Sequence, residues 1–381
     1  MAKKVAIIGS GPAGCMTACN LDKSFEITLF DKSKPLKTLL PTGGGRCNLA
    51  HAEFNFKELA KNYPRGEKFL YSVFSRFGTQ ETLDFFEKIG IKTYTQDNGR
   101  IFPISNSAQD VRNAILSKLH HCKFKEEEIL SIKKLEKGFE VKSAQTSYYF
   151  DIVVVAIGGK SSYKILSNLG HSIVEPKPAL VGLITEPHYK NLQGISLQNV
   201  LIKSGKTQIE GDILFTDNGI TGPAIFELSS INARKDLPYE ITIDFINKNI
   251  DWQNLFDKNP HKELKNIISE ILPKTFVNEI FKNVNLTQKG HEIKSNTKVL
   301  VNSTIQNFRF KIINTRKNGE TVTSGGISLK EIDSKTLQSK ITDCLYICGE
   351  VLDIDGFCGG YNLQNCWSTG YITAVAINSN L

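Results

Sequence analysis

The eight cysteines of this 381-residue chain, at positions 15, 19, 47, 122, 344, 348, 358 and 366, include no Cys-x-x-Cys pair. That absence argues against the usual zinc spacings, so no metal site is expected. It also argues against a redox dithiol and disulfide-reductase chemistry. Thiols scattered in this way read as small apolar side chains in a reducing, cytoplasmic setting. Cys15 and Cys19, four apart on a helix, read as sharing one packed face. No apolar run approaches the roughly 18–20 residues of a membrane span, so no membrane partner is expected. The apolar stretch before Gly9 is too short for a signal peptide, and a strand explains it better. There is no large charge excess either. The net charge of +8 comes from 47 basic and 39 acidic residues, which permits a polyanionic partner without requiring one. With 40% hydrophobic and 23% charged residues, no fixed-period repeat and no long disordered segment, the chain reads as soluble and globular, with two or three domains.

What the chain does have is concentrated at its ends. The run from Lys4 to Gly9 is a short apolar stretch ending in glycine, as a buried parallel strand should be. Pro12 to Lys23 reads as a helix with proline in its first turn, and Glu26–Asp31 as the next strand. Together they form one βαβ unit. Within it, Gly9-Ser-Gly11-Pro12-Ala13-Gly14 meets the needs of a bound dinucleotide. Gly9 permits the tight turn, Gly11 lets backbone approach a pyrophosphate, and Gly14 lets helix and strand pack closely. The helix start offers free N–H groups to phosphate. Asp31, followed by Lys32, can accept from a ribose.

No second Gly-x-Gly-x-x-Gly follows a strand between 160 and 320, so a nicotinamide would have no domain of its own. Instead the far end carries a strand, Asp343–Cys348, that runs into Gly349-Glu350. A simple NAD dehydrogenase needs no such loop. FAD enzymes of the glutathione-reductase type place an acid there, against the ribityl or pyrophosphate region, and Glu350 is one methylene longer than the usual aspartate. Gly356 and Gly359-Gly360-Tyr361-Asn362 precede a helical run from Leu363 to Ala376. Backbone N–H groups at that helix start can stabilise negative charge on a reduced flavin. Another buried strand from Phe150 ends in Ala156-Ile-Gly158-Gly159. Thr42-Gly43-Gly44-Gly45-Arg46-Cys47-Asn48 is a glycine cluster followed by a cation, able to lie against a ring system or phosphate, with Arg46 free to pair with an anion.

Between these ends, Thr79–Ile89 and Ala108–Leu119 read as amphipathic helices. Ile129–Val141 and Tyr148–Ile157 alternate as strands. Residues 180–247 are strand-rich, with breaks at Gly194, Gly205 and Gly211. Residues 251–296 lack glycine until Gly290 and suggest a helical insert. Strand signals return at Lys298–Ile313. The fold class expected is α/β. A Rossmann-like FAD-binding domain is built from residues 1–182 and 318–381, a β-rich, barrel-like domain from 183–247 and 298–317, and a helical insertion from 248–297.

Several motifs then appear in a fixed order: Leu39-Leu40 before Thr42–Asn48, Gly99-Arg-Ile-Phe-Pro103 with Ser105, and Ala156–Gly159. Leu214-Phe-Thr with Gly219–Pro223, Thr323-Ser-Gly-Gly-Ile327 and Gly349–Gly370 follow. Together they resemble the BaiN/YhiN-type family of FAD-dependent oxidoreductases over most of the chain, more weakly over 250–297. The chain departs from the family pattern at Ser161-Ser162-Tyr163 and at Cys358. The resemblance implies non-covalent FAD, with cofactor roles for Gly9, Gly11, Gly14, Asp31, Arg46, Gly158, Gly349, Glu350 and Asn362. It implies NADH or NADPH as a transient reductant and hydride delivery to a C=C bond. One branch is similar to dihydrouridine synthases acting on uracil C5–C6 of 23S rRNA, another to reductases of unsaturated bile-acid intermediates. A non-catalytic FAD-binding assembly or regulatory role is the alternative outside enzymes.

The reaction needs a proton donor. Cys47 leads, because adjacent Arg46 would lower its pKa. Cys358 and Tyr361 follow. Ribosomal RNA, free or in an assembling large subunit, would need a basic footprint. Lys57, Lys61, Arg65, Lys68 and Arg76, interleaved with Tyr63, Phe69 and Tyr71, offer one stretch, and Arg309, Lys311, Arg316 and Lys317 another. A small-molecule substrate such as a steroid would want an apolar pocket instead.

Overall fold

A computed structural model describes residues 2–159, 163–316 and 322–380. Ser161, Ser162 and Lys317 lie outside the described residues. The chain divides into two compact units, residues 1–177 with 322–381, and residues 178–321.

The first unit is built on a five-stranded parallel sheet. Its order is Leu345–Ile347, Ile152–Val155, Lys4–Ile8, Glu26–Asp31 and Lys123–Glu126. The three strands from Leu345–Ile347 to Lys4–Ile8 are continuous apolar runs because both faces are covered, and Val5, Ala6, Ile7, Val153, Val154 and Ile347 are wholly buried. The outer strand Lys123–Glu126 carries charge and exposure instead, which suits an edge. Helix Pro12–Asn20 and the long final helix Tyr361–Asn378 pack against each other on this sheet. The register matters for the site. Ile8 pairs with Val155, and Val155 with Ile347, so three carboxyl ends of strands lie side by side. A smaller sheet pairs Ala50–His51 with Arg100–Pro103, and Arg100–Pro103 with Thr93–Thr95.

The second unit is a closed six-stranded antiparallel barrel, in the order 183–186, 219–221, 207–215, 196–204, 239–244 and 308–315. Gly205 forms a hairpin turn within it. Gly211, expected as a break, lies inside strand Thr207–Phe215 where the register shifts, and a Cβ there would come within 3.3 Å of Ala224. Helices Trp252–Lys258, Leu264–Ile268 and Lys274–Ile280 share one hydrophobic core with the barrel, Phe276 lying 4.8 Å from Phe245 between ring centroids. The strand expected from Lys298 begins only at Phe308, because Ser295–Gln306 is a helix. The run Val299-Leu300-Val301 reads as a strand, yet only Val301 and Ile305 face the core, four residues apart as a helix requires.

The stretch read as a basic footprint is also partly structural. Arg65 forms a bidentate ion pair with Asp355, which is wholly buried. Tyr63 is buried too and donates to the carbonyl of Tyr361 at 2.6 Å. Lys61 is paired with Glu58. Lys68 and Phe69 instead line a shallow concavity with Lys335 and Lys340. Removing Arg65 leaves a carboxylate without its countercharge in the core. Arg65→Met is therefore expected to cost about 3–5 kcal/mol of stability. Urea unfolding followed by circular dichroism checks it, and a loss below about 1 kcal/mol would show that Asp355 finds other compensation.

Candidate functional site

The paired strand ends assemble a cradle from three segments distant in sequence. Gly9, Ala156–Gly159 and Cys348–Glu350 all lie at the carboxyl edge of the parallel sheet, where open α/β sheets bind their ligands. The glycines there divide by what a Cβ would meet. At Gly9 it would sit 2.3 Å from the Ala156 carbonyl oxygen, and at Gly14 2.0 Å from that of Gly9. Those two are packing glycines. At Gly11 the nearest atom is Thr38 Oγ1 at 3.8 Å, at Gly158 it is Glu350 Oε2 at 3.9 Å, and at Gly44 nothing lies within 4 Å. These three face open space, the arrangement a bound group requires. Gly45 is nearly as open, with Leu40 O at 4.0 Å.

Polar groups border this space. Asp31 spends its carboxylate on the turn, Oδ2 accepting from Ser10 N at 2.8 Å and Oδ1 from Ser33 N at 2.9 Å. A ribose hydroxyl would have to share those oxygens. Lys32 is exposed, 4.0 Å from Glu128. Glu350 Oε1 accepts from Thr323 N at 3.0 Å, and Gly349 N donates to Thr369 Oγ1 at 3.0 Å. Pro12 and Ala13 open the first helix, and its N-cap position is Gly11. Asn48 Oδ1 and Ser324 Oγ are buried and have no hydrogen-bond partner among the described residues. Open glycines and an orphaned carboxamide beside them fit a dinucleotide such as FAD.

Three expected roles change. Cys47 is wholly buried, and burial pushes its thiol up to about 12. The depression expected from Arg46 does not occur, because the guanidinium turns away to lie 4.3 Å over the Phe102 ring, with Nε donating to Gly43 O. A buried thiol at that pKa is a poor proton donor to a substrate. Arg46, so placed, is not poised to pair with an anion. Asn362 closes its own loop, Oδ1 accepting from Gly356 N at 2.9 Å and Nδ2 donating to Gly356 O at 2.8 Å. Its amide orders Gly356–Tyr361 and is not free for a cofactor.

The other two candidates for proton transfer come together with residues the sequence did not single out. Gly359, Gly360 and Tyr361 lie against the Ala50–His51 strand, and a Cβ at Gly360 would come 2.5 Å from Ala50 O. His51 stacks on Tyr361 with centroids 4.8 Å apart. Arg100 Nη2 reaches to 3.7 Å from Cys358 Sγ. Cys358 is exposed, while Tyr361 is buried and its phenol is pushed up to about 12. The only advance signal for Arg100 was its place in Gly99–Pro103; for His51 there was none.

A serine–histidine–glutamate line elsewhere in the unit has a different role. Ser339 Oγ lies 3.0 Å from His171 Nε2, and Glu331 Oε2 3.1 Å from Nδ1. Ser339 is buried, and its oxygen already accepts from Ile341 N and Thr342 N. It staples a loop rather than acting as a nucleophile. No group of three or more His, Cys, Asp or Glu able to hold a metal occurs among the described residues. No described helix is long and apolar enough to cross a membrane.

A parallel sheet with this glycine cradle at its carboxyl edge defines a dinucleotide-binding protein of the Rossmann type. The chain belongs to the family described as HI0933-like protein Rossmann domain, whose profile matches residues 3–376. It is 26% identical to a 3-dehydro-bile acid delta(4,6)-reductase of Clostridium scindens, over 98% of each chain. It is 28% identical to a ribosomal RNA dihydrouridine synthase of Haemophilus influenzae, again over 98% of each. Among solved structures, the Sdh1 complex of Mycobacterium smegmatis in the apo form matches with a TM-score of 0.52 at 13% identity, covering 99% of this chain and 68% of that one. That likeness supports the fold.

Thiol accessibility tests the site's geometry. In native protein, iodoacetamide is expected to label exposed Cys344 and Cys358 within minutes and to spare Cys47 until denaturant is added. Mass spectrometry of the peptides reads this out, and rapid native labelling of Cys47 would contradict its burial.

Proposed function

We propose that this protein is an FAD-dependent reductase that passes a hydride from NADH or NADPH, by way of the flavin, to a C=C bond, with a uracil C5–C6 bond of ribosomal RNA as its substrate. The observation that carries the reading is the set of open glycines, 11, 44, 45 and 158, together with the buried, unpartnered Oδ1 of Asn48. The relatives' names supply the reaction class. Forming dihydrouridine and reducing a delta(4,6) bile acid are both additions of two electrons and two protons to a C=C bond conjugated with a carbonyl.

Bound FAD supplies two-electron hydride chemistry that no side chain here offers. Backbone at Gly11, Pro12 and Ala13 would hold its pyrophosphate. Asp31 would face the adenosine ribose, and Glu350, with Gly349 and Gly158–Gly159, the linking chain. Gly44, Gly45 and Asn48 would border the ring, with Gly359–Gly360 at the start of the final helix. That helix start stabilises negative charge.

A small-molecule enone is the second reading, favoured by the bile-acid reductase relative. A non-catalytic FAD-binding role is the third. Nucleosides from total ribosomal RNA separate the first two. Loss of dihydrouridine on deleting the gene, and its return with the gene, supports the RNA substrate. Unchanged RNA, with purified holoprotein oxidising NADPH only when an enone is added, supports the small molecule. Flavin that neither NADH nor NADPH reduces would favour the non-catalytic role.

The cradle itself is tested by Gly11→Val. Gly11 has φ −73°, ordinary for any residue, and has room around it. The variant should fold with a melting temperature within a few degrees of the parent and be colourless. Retained flavin at full occupancy would remove Gly11 from the site.

A further inference from the structure

One corner of the first unit carries chemistry that the cradle does not use. His51 and Arg100 are cross-strand partners. The final glycine-rich loop brings Cys358, Gly359 and Tyr361 up to them. His51 Nδ1 lies 3.2 Å from the carbonyl oxygen of Gly359. A carbonyl can only accept, so Nδ1 carries the proton; burial lowers the pKa of the ring against the opposing pull of this bond and of Glu53. Gly99 is what admits the ring, since a Cβ there would come 2.5 Å from Nε2.

Arg100 differs from the other arginines near the site. Arg65 is neutralised by Asp355 and Arg46 lies over Phe102. Arg100 is half-buried, touches Cys358 Sγ at 3.7 Å, and has no carboxylate within ion-pair distance among the described residues. The start of the 18-residue final helix adds partial positive charge to the same corner. Glu53 acts on His51 and Tyr361 from nearby without pairing with Arg100, so the pull on developing negative charge comes from the guanidinium and the helix start.

Resting on the reading above, we propose that Arg100 and Cys358 activate the substrate: the guanidinium holds the carbonyl oxygen conjugated to the C=C bond, and the thiol supplies the proton. Bound flavin, once reduced by NADH or NADPH, would supply the hydride to the β-carbon. The π pair moves onto the α-carbon and carbonyl oxygen, giving an enolate beside Arg100. The S–H bond of Cys358 then breaks as the α-carbon–hydrogen bond forms. The thiolate left behind faces Arg100 and regains a proton from water, to which Cys358 is exposed. His51 is a positioning residue, holding Gly359 and through it the loop that carries Cys358. Tyr361 is the packed wall of the corner, its ring against His51 and its carbonyl bonded to Tyr63.

Holoprotein titrated with 4-hydroxybenzaldehyde, a planar mimic of the enolate, tests this apart from turnover. Phenolate absorbance reports binding and ionisation. The parent should bind the phenolate form at pH 7, and Arg100→Gln should weaken binding about tenfold or more, the loss of one charge-assisted hydrogen bond. Cys358→Ser should bind the mimic within about twofold of the parent but lose about tenfold or more in substrate turnover. Binding of the neutral phenol by the parent, a measurement that needs no variant, overturns the role of Arg100. Equal affinity in Arg100→Gln with full flavin content also overturns it, and parental turnover in Cys358→Ser overturns that of the thiol. Protein purified without flavin would overturn the pair together with the reading beneath it.

Discussion

The carboxyl edge of the parallel sheet depends on one close contact, backbone against backbone, between helices from opposite ends of the chain. A Cβ at Gly370 would come 2.5 Å from the carbonyl oxygen of Ala13, and one at Gly349 would come 2.7 Å from the Ala13 side chain. Thr17 Oγ1 bonds to Gly370 O at 3.0 Å across the same contact. Only small residues let the helices approach so far. That approach sets Gly349–Glu350 beside the Gly9–Gly14 turn, and so makes one cradle from two ends. A larger residue at any of these positions would part the segments before it touched a ligand.

The arginines show how tertiary context divides residues of one kind. Arg46, Arg65 and Arg100 each lie in a segment near the site, and each carries the same charge. Arg65 is desolvated and held by Asp355, a structural pair whose value lies mainly in the cost of breaking it. Arg46 covers an aromatic face. Arg100 alone of the three keeps a guanidinium turned toward an exposed thiol. Composition counts all three as basic surface, and burial shows that at least one of them is core.

What was legible in the sequence follows the same division. The close packing at Gly9 and Gly14 was readable because it depends on a turn between a strand and a helix, a local matter. The βαβ unit and the strand before Gly349 were readable from continuous apolar runs. The pKa of Cys47 was not, since proximity to Arg46 in sequence says nothing of where the guanidinium points or how deeply the thiol is buried. The helix Ser295–Gln306 was misread because three consecutive β-prone residues hid a four-residue spacing. His51 was invisible because its partners, Arg100 and Gly359, come from segments that meet it only in the folded chain.

The parts of the site fixed by backbone contact cannot by themselves choose a substrate. Close packing at Gly9, Gly14, Gly349 and Gly370 holds a dinucleotide cradle whatever is to be reduced, and two relatives named for unlike substrates match this chain over nearly its whole length. Side chains that the backbone does not dictate are where two such relatives can differ. Lys68, Lys335 and Lys340 around Phe69 are of that kind: exposed cations beside an aromatic ring, whose side chains take no part in the sheet's packing. A phosphate backbone rewards such cations, while a steroid gains nothing from them. The cradle is thus tied to the packing of the sheet, while the exposed side chains around it are not.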